Sequence, residues 1–178
     1  MALVNELTPM SAPPIVCIVG RSNSGKTTLI ERVIPLLTRA GYRVATIKHA
    51  GHGFELDTEG KDSWRHKRAG ANTVIVLSKG SLALFGDVEG EPTLEDVRAK
   101  YLVTPIDLVI AEGWKSEGYP KIVVVRERLD EVSVSLDGLL AVVSVKPLEA
   151  PAPWFDRDDV QGLANLIIQR FPRPSSAP

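Results

Sequence analysis

At 178 residues the chain is the length of one domain with a single core of ordinary size. Its 21 Lys and Arg stand against 22 Asp and Glu, a net charge of −1, so no basic excess argues for nucleic acid or a membrane surface as partner. One cysteine excludes an intramolecular disulfide framework and fits a reducing compartment, and no apolar run approaches the roughly 20 residues of a membrane helix. The first residues also lack the charged and apolar regions of a secretory signal, so the expected location is cytoplasmic.

In chain order, 1–13 and the Pro/Ser-rich 172–178 are expected to be flexible, leaving 14–171 as a single domain. Ile15–Val19 is a continuous apolar run, the pattern of a strand buried on both faces of a parallel sheet, and Cys17 within it reads as a small buried hydrophobe. Lys26 to Arg39 has helical spacing, with Leu29, Ile30, Val33, Leu36 and Leu37 on one side and an expected kink at Pro35. Tyr42–Lys48 reads as a strand, Lys61–Ala71 as a short basic helix, and Thr73–Ser78 and Ser81–Gly86 as strands around a Lys79-Gly80 turn. Thr93–Tyr101 follows as a helix opened by a Thr-x-x-Asp cap. Asp107–Ala111, Ile122–Val125 and Leu139–Val145 are further strands, and Asp158–Phe171 is a closing amphipathic helix. Strands alternating with helices predict an α/β fold with a mostly parallel central sheet and helices on both faces.

The segment Gly20-Arg-Ser-Asn-Ser-Gly25-Lys26-Thr27 matches G-x-x-x-x-G-K-[ST] between a strand and a helix, the context that a P-loop requires. Glycines let backbone amides close around a β-phosphate at the partially positive helix start. Lys26 is then placed to reach the β/γ-phosphates and Thr27 to offer its hydroxyl to magnesium. Gly20, Ser22, Asn23, Ser24, Gly25, Lys26, Thr27 and Thr28 form the candidate nucleotide site.

Ligands of such sheets lie beyond the carboxyl ends of the strands, and that rule sorts the acidic residues. Asp107, at the start of its strand, falls roughly 16 Å from the tip and reads as structural. Glu112 sits at the tip before Gly113, where a carboxylate can meet magnesium through water or orient an attacking water. The loop from Lys48 to Asp62 leaves another strand's carboxyl end, so its Asp57 suits a switch loop that approaches magnesium when triphosphate is bound. Glu112 and Asp57 are therefore the catalytic candidates, and Thr27, Asp57 and Glu112 the metal candidates. His49 and His52 lack the Cys or third His of a transition-metal site and read as polar loop residues. Lys61, Arg65 and Arg68 share one helical stripe, either a solvated face or a surface for an anion or partner.

Gly-Arg-Ser-Asn-Ser-Gly-Lys-Thr-Thr, Ile47-Lys48-His49, Gly60-Lys-Asp-Ser-Trp-Arg65 with Ala69-Gly70-Ala71, Asp107-Leu-Val-Ile-Ala-Glu112-Gly113-Trp114-Lys115 and Pro120-Lys121-Ile122 together resemble the molybdopterin-guanine dinucleotide biosynthesis protein B (MobB) family. The resemblance runs from about residue 14 to 170. The P-loop is shared by many families; Gly-Lys-Asp-Ser-x-Arg joined to Glu-Gly-Trp-Lys narrows it. It implies a dimeric P-loop protein, related to the signal-recognition and MinD-like NTPases, that binds GTP with Mg2+ and hydrolyses it weakly. It further implies an accessory role beside the molybdopterin guanylyltransferase and molybdopterin-handling proteins, in making molybdopterin guanine dinucleotide. One departure concerns the base: a segment of the Asn-Lys-x-Asp type is expected near Val145, and Ser144-Val145-Lys146-Pro147 has no Asp.

Two other classes stay open. A small P-loop kinase or ligase acting on a metabolite fits the size, though no Arg-rich lid is evident. A GTP-dependent metallochaperone would need Cys or His ligands near the switch loop. A structural adaptor that binds nucleotide without useful turnover overlaps the accessory reading.

Overall fold

A computed structural model describes residues 12–51, 53–54, 57–102, 105–126, 129 and 135–173. His52 and most of both termini, for which loop and flexible roles were expected, lie outside the described residues. The chain forms two compact units, Met1–His49 with Arg98–Pro178, and Ala50–Val97.

The larger unit is built on six strands, β1 (Ile15–Val19), β2 (Val44–Lys48), β5 (Leu108–Glu112), β6 (Lys121–Val124), β7 (Leu139–Ser144) and β8 (Trp154–Asp156). Their order is β2-β5-β1-β6-β7-β8, and every pairing among them is parallel. The apolar runs dictate this: all five residues of β1 are buried, and a strand hidden on both faces belongs at the centre. Helix α1 (Lys26–Arg39) turns Leu29, Ile30, Val33 and Leu37 onto Val16, Ile18, Ile110 and Ile122. Helix α4 (Val160–Arg170) joins the same core through Val160, Leu163 and Ile167. The alternate residues of the strands, among them Cys17, Val109, Ala111, Val123 and Val142, are buried on the opposite face.

Helix α1 has its expected bounds and continues through Pro35, whose ring deprives only the carbonyl of exposed Glu31, four residues back, of its bond. Other boundaries differ from expectation for local reasons. Strand β5 begins at Leu108, because Asp107 is held by Arg43 instead of the ladder. The carboxylate of Asp159 accepts from Gly162 N at 2.9 Å, so α4 opens at Val160. Strand β8 was not anticipated: it has three residues and follows a stretch broken by Pro147, Pro151 and Pro153.

In the smaller unit, α2 spans Asp62–Arg68, shorter than the expected Lys61–Ala71, with Lys61 extended before it and Ala69-Gly70 closing it. Strands β3 (Thr73–Ser78) and β4 (Ser81–Gly86) form an antiparallel hairpin around Lys79-Gly80, a two-stranded sheet of its own. Ile75 opposes Leu84 and Leu77 opposes Leu82, which puts four exposed apolar side chains on one face. Helix α3 (Leu94–Tyr101) is opened by the expected cap: Thr93 Oγ1 accepts from Asp96 N at 3.1 Å, and Asp96 accepts from Thr93 N at 3.0 Å.

Candidate functional site

The P-loop leaves β1 at Val19 and enters α1 at Lys26, inside the larger unit. Gly20 passes so close to β6 that a Cβ there would lie 2.3 Å from Val124 O, which no side chain can accommodate. Asn23 and Gly25 adopt positive φ of 58° and 96°, curling the backbone before the helix. Ser22, Asn23 and Thr28 are exposed, whereas Ser24 is 3% exposed and its Oγ is buried without a hydrogen-bond partner. An unpaired buried hydroxyl is costly, and this one lies against Gly20, where a Cβ would stand 2.7 Å from it.

Lys26 Nζ donates to Arg21 O at 2.7 Å, folding the ammonium back across the loop. Its pKa lies below the ordinary lysine value, chiefly through burial; Glu112 opposes the shift, and Lys115 and Lys48 add to it. Cations are thus gathered around one carboxylate, an arrangement that an incoming phosphate would relieve.

Glu112 ends β5, where Lys48 ends the neighbouring β2 in direct register. The Thr27 hydroxyl donates to the Glu112 carboxylate, at 3.2 and 3.1 Å to its two oxygens, and Lys48 Nζ lies 3.8 Å from it. A hydroxyl and a carboxylate that meet at the start of a helix are hard oxygen donors of the type magnesium takes, with water and phosphate completing the shell. The turn after Glu112 is tight. Gly113 has φ 112°, a Cβ there would lie 3.1 Å from His49 Cβ, and Trp114 follows at the rare φ of 49°. The His49 and Trp114 rings stand 5.3 Å apart, so His49 packs against an aromatic ring.

Asp57 belongs to the smaller unit, where its carboxylate accepts from Thr58 N at 2.8 Å and Ser63 Oγ at 3.0 Å and fixes the turn into α2. Along the basic stripe, Lys61 precedes α2, Arg65 lies 3.8 Å from Asp62, and the Arg68 guanidinium stacks over Trp64 at 5.4 Å. Trp64, Lys67 and Arg68, with Phe54 and Phe85, line an open cleft of about 420 Å³. Among the described residues no three His, Cys, Asp or Glu converge as a metal cluster.

Sequence reasoning missed two arginines. Arg126, just past β6, donates to Asn23 O at 3.2 and 2.7 Å, and Arg157, between β8 and α4, donates to Ser24 O at 2.9 Å. Lys48 was within reach, since it ends a strand at the ligand edge. Arg157 was not, because the strand that delivers it has no sequence signature.

The model for the family described as molybdopterin guanine dinucleotide synthesis protein B matches residues 15–145. The chain belongs to the MobB family. It is 37% identical over 155 residues to the molybdopterin-guanine dinucleotide biosynthesis adapter protein of Haemophilus influenzae, covering 86% of this chain and 87% of that one. The adapter protein of Escherichia coli is 34% identical over 162 residues, 88% of this chain and 92% of its own. A crystal structure of molybdopterin-guanine biosynthesis protein B superposes with a TM-score of 0.75 at 38% identity, covering 88% of this chain and 98% of that one. Bacillus subtilis MobB gives 0.75 at 30% identity, covering 89% and 98%. The MobB fold thus accounts for nearly the whole chain, and the α/β reading with a parallel sheet stands.

Proposed function

We propose that this MobB-family chain binds GTP with Mg2+, hydrolyses it weakly, and serves as an accessory protein in making molybdopterin guanine dinucleotide. The Thr27–Glu112 contact at the mouth of the P-loop carries the nucleotide part, because it brings a magnesium-type oxygen pair to the loop that Lys26 spans. The adapter role rests on the relatives' names, and the preference for guanine on the family alone. When bound, magnesium would neutralise phosphate charge. Lys26 would release Arg21 O to meet the phosphates, Glu112 would hold a water, and Asp57 would approach from its loop with triphosphate in place.

Residues 14–171 act as one functional domain, and the partners are a molybdopterin guanylyltransferase, molybdopterin-handling proteins and a second copy of the chain. The apolar hairpin face of Ile75, Leu77, Leu82 and Leu84 supports self-association, since side chains 45–75% exposed on one face favour being covered. A cytoplasmic site of action is part of the same reading. No described helix is long and apolar enough to cross a membrane.

Titration with GTP and ATP in magnesium, on wild type and Lys26→Ala, tests this. GTP is expected to bind wild type more tightly, and Lys26→Ala to lose affinity while keeping its circular dichroism spectrum. Unchanged affinity in the variant would overturn the phosphate site; equal or stronger ATP binding would favour a metabolite kinase.

A further inference from the structure

We infer that Arg157, assisted by Arg126, is a positioning residue that sets the direction of the P-loop amides. The inference rests on the phosphate-site reading above and extends it to residues outside the motif. Arg157 arrives from the loop between β8 and α4, and Arg126 from the end of β6. Arg157 Nη2 spans two backbones, donating to Ser24 O and to Val125 O, each at 2.9 Å. Its other terminal nitrogen lies against Gly25: a Cβ built there would stand 3.5 Å from Nη1. Arg126 grips the preceding carbonyl, Asn23 O, through two nitrogens.

A trans peptide sends its C=O and N–H to opposite sides. Pinning Ser24 O toward Arg157 therefore turns the Gly25 amide away from Arg157, and pinning Asn23 O fixes the Ser24 amide in the same manner, where it donates to Arg21 O at 3.2 Å. The loop that must offer amides to an anion is thus held by three charge-assisted bonds from two arginines outside it, before any ligand arrives. Holding those dipoles in advance lowers what a phosphate must spend on ordering them. The brace is itself anchored, since Arg32 of α1 donates to Arg157 O at 3.0 Å and pairs with Asp158 at 2.9 Å. A planar fork suits this work better than an ammonium: Nη2 reaches both carbonyls while Nη1 stands beside Gly25, and the single nitrogen of Lys, although it has three N–H groups, can take only one of those two places.

The test compares wild type, Arg157→Gln, Arg157→Lys, Arg126→Gln and Lys26→Ala for GTP and GDP affinity in magnesium, well below each variant's melting temperature. Arg157→Gln should weaken both nucleotides about tenfold, the worth of one charged hydrogen bond. Arg157→Lys should recover only part of that, and exposed Arg126→Gln should lose less, about threefold. If Arg157→Gln does not fold, Arg126→Gln and Arg157→Lys carry the decision. Full recovery by Arg157→Lys would reduce the role to charge and overturn positioning. Wild-type affinity in both Gln variants, with Lys26→Ala impaired, would overturn this inference alone. A wild type that binds no nucleotide would bring down the phosphate site and this inference with it.

Discussion

Asp107 and Arg43 form a buried-to-exposed ion pair that ties β2 to β5 at the edge away from the P-loop. Arg43 donates to the carboxylate from its backbone N, Nε and Nη2 at 2.8, 2.9 and 2.7 Å, and the Asp107 side chain is only 4% exposed. Those hydrogen bonds hold its carboxyl down to about 2, against 3.8 in an unperturbed chain. The native state then binds fewer protons than the unfolded state between those values. The pair's contribution is complete above the unfolded value and is lost as pH falls from about 4 toward 2. Asp107, read from its place at the strand start as structural, is a stability residue through this carboxylate. The Asp107→Asn variant should lose about 2 kcal/mol at neutral pH, and thermal unfolding of both proteins should converge as pH approaches 2. A constant gap down to pH 2 would show that the charge is not what the fold uses. Cys17 illustrates the opposite environment: wholly buried in β1, its thiol is pushed up to about 11, mainly by desolvation, and stays protonated.

At the scale of elements, β5 separates two carboxylates by function. Asp107 precedes its first residue, while Glu112 is its last and meets Thr27 of α1. The parallel register that sets Ile18 beside Glu112 is what brings strand tip and P-loop together. Glu112→Gln keeps an oxygen for Thr27 but loses the charge. Single-turnover assays should show hydrolysis slowed about tenfold or more with GTP still bound. Loss of binding with hydrolysis intact per bound nucleotide would instead make Glu112 a ligand-holding group only.

For the whole molecule, the candidate surfaces fall in different units. The larger holds the P-loop; the smaller presents the basic stripe and the apolar hairpin face. Arg65 and Arg68 are exposed, and their ion pair with Asp62 and stacking on Trp64 are weak surface contacts whose loss the fold tolerates. Arg65→Glu with Arg68→Glu should therefore leave the circular dichroism spectrum and GTP affinity near wild type, and lower the stimulation of molybdopterin guanylylation by the partner enzyme. If stimulation also stays at wild-type levels, the stripe is a solvated helix face.

The sequence by itself determined most of the elements and the phosphate-loop motif. Ile15–Val19 is apolar throughout, α1 carries its inward face at helical spacing, and Gly25-Lys26-Thr27 forms a contiguous motif, so local pattern sufficed. Glu112 was legible too, since strand direction alone puts it at the ligand edge. Tertiary structure decided what depends on neighbours far along the chain. Asp107 gains its role from Arg43, 64 residues away, and Ser24 is braced by Arg157, 133 residues away. Strand β8 exists because β7 offers it an edge, and the hairpin forms a separate sheet although its strands look like any others. Periodicity reports which face of an element is apolar; it carries no information about which distant group will meet that face, because that choice is made by packing.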